Sequence, residues 1–141
     1  MSGSRFFLDT NIFVYSFDPG APQKSVRASE LIRLAVRSRN GIVSYQIVQE
    51  FFNVAFRRFT RPMTAPEAEQ YLATTFRPLM AISSSAALYV EAFRLVSSYS
   101  LSWYDALVVA AAIEGGAQLL YSEDFQHGQE FGNLRVENPF R

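Results

Sequence analysis

Four carboxylates stand among apolar or small neighbours, where a purely solvating role would be awkward. Asp9 interrupts the apolar stretch RFFLDTNIFVY, and Glu50 lies in YQIVQEFFNV, beside an apolar stripe with helical spacing. Asp105 opens the apolar run DALVVAAAI, and Asp124 follows the apolar segment LLY in LLYSEDF. Carboxylates that share a half-buried cleft repel each other, and a divalent cation offsets that cost. The set therefore predicts a carboxylate site for Mg²⁺ or Mn²⁺ of the kind that hydrolyses phosphodiesters.

Each acid also has an ordinary structural interpretation. Asp9 could cap a helix that follows the first strand, and Ser102 and Asp105 are spaced like a capping box. Glu50 could be a solvated helical side chain, and Asp124 could belong to a polar loop. The two interpretations are compatible, because one Asp could both cap a helix and bind a metal. The four acids together favour a metal site more strongly than any one of them does alone.

Composition narrows the chemistry further. The 141 residues contain no cysteine and a single histidine, His127, which we expect to be solvated. These counts exclude a thiolate nucleophile and a cysteine-based zinc site, and they argue against a histidine-rich site. With 49% hydrophobic residues, the chain can bury the core of one domain spanning residues 1–141.

Short apolar runs alternate along the chain with longer helical patterns. The predicted strands cover residues 5–8, 41–44, 79–82, 118–121 and 134–136. The predicted helices cover residues 23–39, 45–59, 65–75, 85–98 and 103–114. This alternation indicates a three-layer α/β/α fold with a central, mainly parallel sheet of four to five strands.

The predicted sheet would gather the four acids. In a parallel sheet, the carboxyl ends of the strands and the amino ends of the following helices share one edge. Asp9, Asp105 and Asp124 fall at that edge, and Glu50 lies one to two turns into a helix that begins there. We therefore expect one pocket to hold all four.

Basic residues suggest a polyanionic partner. The net charge is zero, but residues 1–62 carry nine basic and four acidic groups, whereas residues 63–141 carry four and nine. Twelve of the thirteen basic residues are arginine, which grips phosphate in a bidentate manner. The segment AFRRFTRP combines Arg57, Arg58 and Arg61 with Phe56 and Phe59. We predict RNA contacts for the three arginines, and core positions for the two phenylalanines.

Nothing at the start of the chain resembles a signal peptide, and no apolar run reaches membrane-spanning length. We therefore expect a soluble, cytoplasmic protein that does not contact a membrane.

Four segments together resemble the motifs of PIN-domain ribonucleases, in the order in which that family carries them. They are FFLDTNIFVY, SYQIVQEFFNV, LSWYDALVVAAA and LLYSEDF. The resemblance implies that Asp9, Glu50, Asp105 and Asp124 are catalytic metal ligands, with Glu123 a less suitable fourth acid. It also implies that Asn11 and Ser122 are polar groups that orient an acid or a water molecule.

The single-domain length resembles that of VapC-type toxins of toxin–antitoxin modules. That resemblance implies an endoribonuclease dependent on Mg²⁺ or Mn²⁺, with an RNA substrate. It further implies a homodimer and an antitoxin protein bound near the active cleft.

Other interpretations keep part of this pattern. A catalytically inactive PIN-like module would bind RNA or protein without assembling the metal site. A phosphoacceptor receiver domain would need a lysine at the sheet edge, but the only lysine, Lys24, is predicted to lie elsewhere. An aspartyl-phosphate hydrolase would need a second aspartate two residues after Asp9, where the chain has Asn11. A dinucleotide-binding fold would need G-x-G-x-x-G after the first strand, and this motif is absent there.

Overall fold

The computed structural model describes residues 3–141, so the first two residues of the predicted domain lie outside it. Within this range the strands form one sheet in the order β3-β2-β1-β4-β6-β5. The strands are β1 Phe6–Leu8, β2 Gly41–Ser44, β3 Met80–Ile82, β4 Leu119–Tyr121, β5 Glu130–Phe131 and β6 Leu134–Glu137. All neighbouring pairs are parallel except β5 with β6. The predicted α/β fold with a mainly parallel sheet is therefore confirmed.

The sheet has six strands rather than the four to five predicted. The additional strand is β5, which pairs with β6 through a tight turn containing Gly132 at φ 62°. A strand of two residues is too short to show the alternating pattern from which strands are predicted.

Six α-helices connect and cover the strands of the described chain. They are α1 Thr10–Tyr15, α2 Pro22–Ser38, α3 Tyr45–Arg57, α4 Ala65–Tyr71, α5 Ala86–Tyr99 and α6 Trp103–Glu114. Helix α1 was not among the predicted helices. The predicted helix 65–75 is divided in the structure into α4 and a π-helical turn, Leu72–Phe76. The helix α6 is buried from Ala106 through Ala112, in agreement with its almost wholly apolar sequence.

An aromatic cluster joins α1, α3 and the π-helical turn. Phe51 is at its centre, fully buried, and its ring centroid lies 5.2–6.4 Å from those of its neighbours. Those neighbours are Phe13, Phe17, Phe52, Phe59, Tyr71 and Phe76. The cluster fixes α3, and with it Glu50, against the segment that follows β1.

The two phenylalanines of the arginine-rich segment differ in burial. Phe59 packs partly buried against the core, as predicted. The core prediction for Phe56 was wrong, because its side chain is 45% exposed and stacks on the partly buried Phe52 at the edge of the aromatic cluster.

No single helix among residues 3–141 has the length and apolar character needed to cross a membrane. The helices α5 and α6 meet that criterion only as a pair, and the chain bends by 117° between them.

Candidate metal centre

Asp9 ends β1 and caps α1 at the same time. Its Oδ1 accepts a hydrogen bond from the Thr10 amide at 2.8 Å, and its Oδ2 accepts one from Ser122 Oγ at 2.7 Å. The residue is only 5% exposed. The capping role and a role in a site are therefore compatible, because each carboxylate oxygen keeps a further lone pair.

Glu50 is on the second turn of α3, where two neighbours orient it. Thr10 Oγ1 donates to Glu50 Oε1 at 2.5 Å, and Gln46 Nε2 donates to Glu50 Oε2 at 3.1 Å. The same Gln46 amide lies 3.4 Å from the carbonyl oxygen of Tyr104 at the start of α6. Glu50 is thus a half-buried, positioned carboxylate rather than a freely solvated one.

Asp105 lies in the first turn of α6, which Ser102 caps. Ser102 Oγ accepts a hydrogen bond from the Asp105 amide at 3.3 Å. The reciprocal bond of a capping box is absent among the described residues, in contrast to Thr64 and Glu67 at the start of α4. The Asp105 carboxylate is therefore not used by the cap.

Asp124 follows β4, and its position is set by the two polar residues that the sequence associates with the site. Its amide donates to Ser122 Oγ at 3.0 Å, and Asn11 Nδ2 lies 3.3 and 3.4 Å from its two carboxylate oxygens. Ser122, which is fully buried, thereby connects Asp124 to Asp9.

All four acids line a single pocket of about 290 Å³, which we call the acidic pocket. Its wall consists of Asp9, Thr10, Asn11, Gln46, Glu50, Asn53, Val54, Arg58, Tyr104, Asp105, Val108 and Asp124. The structure therefore brings the predicted acids together, as the parallel sheet requires. Among residues 3–141, however, no three such side chains are close enough to hold a metal ion as they stand.

The acids of the pocket perturb one another. Burial raises the pKa of Asp9 to about 6, and the nearby charges of Asp124 and Glu50 add to this effect, although the bonds from Ser122 and Thr10 oppose it. The pKa of Asp124 is also raised, first by burial and then by the charges of Asp105, Glu123 and Glu50. At Asp9, the hydrogen bonds from Ser122 and Thr10 are therefore too weak to compensate for burial and for the neighbouring negative charges.

This donor set suits a hard divalent cation. Carboxylate oxygens are the ligands that Mg²⁺ and Mn²⁺ prefer, and the Asn11 amide and Thr10 hydroxyl hold two of the acids in place. A cation would also stabilise the buried negative charge and offset the repulsion between the acids, which together raise the pKa values of Asp9 and Asp124. The residues thus fit the predicted metal, with Asp9, Glu50, Asp105 and Asp124 as the groups available to hold it.

Glu123 is not part of the acidic pocket wall. Its Oε2 accepts from Lys24 Nζ at 2.6 Å, and its Oε1 accepts from the Tyr15 hydroxyl at 2.5 Å. Lys24 Nζ also lies 4.6 Å from the centre of the Tyr15 ring and 5.6 Å from that of Phe140. Burial raises the pKa of Glu123, but the Lys24 and Tyr15 hydrogen bonds outweigh it and leave that pKa below its ordinary value.

Lys24 and Tyr15 were missed by the sequence reasoning, and the expectation that Lys24 lies away from the sheet edge was wrong. Its ammonium group binds the residue next to Asp124. Its being the only lysine in the chain was the one available signal. No local pattern connects positions 24 and 123.

The predicted RNA contacts differ in their placement. Arg58 is on the acidic pocket wall, whereas Arg61 forms a 3.3 Å ion pair with Glu67 on the exposed surface. Arg57 is exposed and does not line the acidic pocket. His127 is exposed, and its Nδ1 accepts a hydrogen bond from the Asn138 amide at 3.0 Å.

Comparison with known proteins adds a family to this geometry. A family model described as PIN domain matches residues 6–129, a range that contains all four acids of the pocket. No curated protein sequence matches the chain.

Several solved structures share the fold. A toxin–antitoxin complex from Klebsiella pneumoniae contains a chain that is 18% identical, with a TM-score of 0.67, over 96% of this chain and 98% of that one. VapC20 from Mycobacterium tuberculosis, described as a sarcin–ricin loop cleaving toxin, is 20% identical with a TM-score of 0.64, over 84% of this chain and 89% of its own. VapBC2 from Rickettsia felis, bound to a DNA fragment from its promoter, is 18% identical with a TM-score of 0.64, over 94% and 96%.

Proposed function

The chain belongs to the PIN domain family, and from that premise we propose that it is an endoribonuclease dependent on Mg²⁺ or Mn²⁺. One observation carries the proposal: acids from four separate segments of the chain line one pocket at the carboxyl edge of the sheet. Their crowding is tolerable when a divalent cation is bound, and such a site hydrolyses phosphodiester bonds without a cysteine or histidine.

In this proposal, Asp9, Glu50, Asp105 and Asp124 bind the metal ion, and their neighbours hold them in place. Ser122 fixes the Asp9 carboxylate, Thr10 and Gln46 fix that of Glu50, and Asn11 fixes that of Asp124. When bound, the metal supplies an activated water and stabilises charge on the phosphate and the leaving oxygen.

Arg58 gives the substrate a second point of attachment. It lies on the acidic pocket wall, so its guanidinium can bind a phosphate of the same RNA strand. With the strand held there, the scissile phosphate meets the acids in a fixed orientation.

We further propose that the protein is the toxin of a toxin–antitoxin pair. The support is its likeness in fold to chains from a toxin–antitoxin complex, from VapBC2 and from VapC20, the last of which cleaves the sarcin–ricin loop. On this proposal it acts on RNA in the cytoplasm, forms a homodimer and is inhibited by an antitoxin protein.

One observation favours a second candidate, a PIN-like module that binds RNA or protein without cutting it. Within residues 3–141 the acids are not close enough to hold an ion as they stand, so the active site would have to tighten when the metal binds. If they cannot tighten, the pocket remains but the chemistry is lost.

A cleavage assay separates the two candidates. Purified protein is incubated with total RNA in Mn²⁺, Mg²⁺ or EDTA, and the new RNA ends are sequenced. We expect discrete cuts with either metal, none in EDTA, and a loss of about 100-fold or more for Asp9→Asn, since removing a ligand weakens both the metal and its orientation. Glu30→Gln is the matched control, because it neutralises an exposed acid on α2 outside the pocket.

Cleavage that survives EDTA, or that Asp9→Asn retains while correctly folded, would contradict the proposal. RNA binding by a wild-type protein that never cuts would favour the inactive module.

A further inference from the structure

The acidic pocket opens onto further concave surface along α3. Val54 and Arg58 line both this pocket and a second one of about 480 Å³, which we call the side pocket. Phe17, Phe59 and Arg61 of the side pocket also line a third, open pocket, whose wall includes residues of α4. A strand leaving the acidic pocket on this side therefore meets the side pocket next.

The side pocket presents an aromatic face that is firmly supported. Phe17 is 41% exposed, yet its ring centroid lies 5.8 Å from that of Phe51, 5.3 Å from Phe59 and 5.2 Å from Tyr71. The aromatic cluster holds the ring from behind and leaves part of it open to solvent. A ring already ordered in this way loses little entropy when a planar group stacks on it.

The polar groups of the side pocket suit a nucleotide. Arg58 and Arg61 lie on its wall, and the ion pair that holds Arg61 is exposed and therefore weak, so this side chain can turn to a phosphate. Asp18 Oδ1 accepts from the Gly20 amide at 2.8 Å, and Oδ2 has no hydrogen bond among the described residues. A carboxylate repels phosphate but accepts a hydrogen bond from the N–H groups of a base edge, so this pocket suits a base with its phosphates at the arginines.

We propose that the side pocket is a base-binding subsite of the ribonuclease. It takes the unpaired base of a nucleotide next to the scissile phosphate, stacked on Phe17 and hydrogen-bonded to Asp18, while Arg58 and Arg61 hold the adjoining phosphates. The proposal rests on the proposed ribonuclease function: RNA cut internally must extend beyond the acidic pocket in both directions, and the residues that the two pockets share, Val54 and Arg58, mark one of these directions. The enzyme then prefers single strands, since a paired base cannot enter.

Binding of a short RNA tests the subsite. The probe is a fluorescein-labelled single-stranded 12-mer, with the same 12-mer in a duplex for comparison, and the protein carries Asp9→Asn in Mg²⁺ so that it does not cut. Phe17→Leu should weaken binding of the single strand by about tenfold or more, because stacking on an aromatic ring is lost. Phe17→Trp should bind at least as well as the wild type, and the duplex should bind more weakly than the single strand.

Two further variants keep the result interpretable. Thr60→Glu adds a negative charge at an exposed position of the side pocket, so it should weaken RNA binding without disturbing the aromatic cluster. Phe93→Leu is the matched control, since Phe93 is 59% exposed on α5 and lines neither pocket. It should bind RNA as the wild type does.

The outcomes separate the subsite from the function. If Phe17→Leu and Thr60→Glu bind the 12-mer as tightly as Phe93→Leu, the subsite proposal is overturned. If the otherwise wild-type enzyme cuts RNA with Mn²⁺ and Phe17→Leu leaves its KM unchanged, only the subsite falls. If the wild type cuts no RNA at all, the proposed ribonuclease function is refuted, and the subsite proposal, which rests on it, is refuted with it.

Discussion

Asp9 stabilises the fold through its hydrogen bonds and destabilises it through its buried negative charge. Its two hydrogen bonds order the start of α1 and connect β1 to the segment after β4. The same burial that makes these bonds strong also penalises its negative charge, which is why its pKa rises to about 6. The buried charge of Asp9 therefore lowers the unfolding free energy of the metal-free protein at neutral pH, and this loss can be measured.

We predict that the metal-free protein becomes more stable, relative to Asp9→Asn, as the pH falls from 7.5 to 4.5. The pKa of Asp9 is about 6 in the folded chain against an ordinary 3.8, so over this range the folded state binds more protons than the unfolded state. The difference in unfolding free energy between wild type and variant should grow by about 2 kcal/mol in favour of the wild type. Urea denaturation in EDTA at several pH values measures it, and parallel curves for the two proteins would contradict the prediction.

Lys24 sets the position of Glu123, and its removal should change the titration of that carboxyl group. In Lys24→Met, burial still raises the pKa of Glu123, the hydrogen bond and charge of Lys24 no longer lower it, and only the Tyr15 hydrogen bond still opposes the effect of burial. We therefore expect the pKa of Glu123 to rise, as measured by carboxyl ¹³C NMR titration. Arg27→Met, which removes another α2 cation, should leave it unchanged, and a Glu123 titration unaffected by Lys24→Met would refute the interpretation.

At the residue scale, the sequence was informative wherever an acid interrupted an apolar context. Asp9, Glu50, Asp105 and Asp124 could each be selected in this way, although their roles as ligands remain predictions. The contact between Lys24 and Glu123 could not be predicted, because 99 positions separate them and neither stands in an unusual local pattern. Its existence depends on where α2 packs after the chain folds.

At the scale of elements, the site depends on how strands end and helices begin. Asp9 and Asp124 follow β1 and β4, which are adjacent and parallel in the sheet. Asp105 instead depends on the first turn of α6, which the Ser102 cap orders. The caps of α5 and α6 are alike, because Ser85 Oγ accepts from the Leu88 amide at 3.0 Å just as Ser102 Oγ accepts from the Asp105 amide.

This similarity gives a controlled test of the cap beside the site. Ser102→Ala and Ser85→Ala should each lower the unfolding free energy by about 1 kcal/mol, since each removes one serine cap. Only Ser102→Ala should also weaken Mn²⁺ binding, as measured by calorimetry, because only this cap orders the turn that carries Asp105. Equal Mn²⁺ affinity in the two variants would show that the first turn of α6 holds Asp105 without its cap.

The fold was predictable where the pattern was long. The twelve residues of α6 were predicted with the same bounds, since a long apolar run between Ser102 and Gly115 has clear ends. The short α1, with six residues, and β5, with two, were missed because so few residues show no period. The π-helical turn Leu72–Phe76 was predicted as part of α4, because the helical pattern does not distinguish the two.

At the scale of the whole molecule, the sheet gathers charge that the sequence keeps apart. Asp9 and Glu50 come from the half with a basic excess, and Asp105 and Asp124 from the half with an acidic excess, yet all four line one pocket. Folding without a metal must therefore overcome their repulsion. A cation that binds only the folded chain shifts the unfolding equilibrium.

We predict that Mn²⁺ and Mg²⁺ stabilise the native protein at pH 7.5. At a metal concentration about 100 times the dissociation constant, the gain in unfolding free energy should be about 2.7 kcal/mol. Denaturation in metal and in EDTA at equal ionic strength measures the gain, and Asp9→Asn should reduce it markedly. A gain that NaCl reproduces, or that Asp9→Asn keeps in full, would argue against binding at these acids.

The burial of α6 on every side has an evolutionary consequence. Seven successive residues, from Ala106 to Ala112, are buried, so almost any substitution among them would disturb the core. The helix that carries Asp105 should therefore change slowly in sequence. Pro19, Thr60 and Arg61 are exposed around the side pocket and can mutate at little structural cost. On the proposed function, we therefore expect descendants of this chain to diversify in the RNA sequences that they cut, while the chemistry of cutting stays the same.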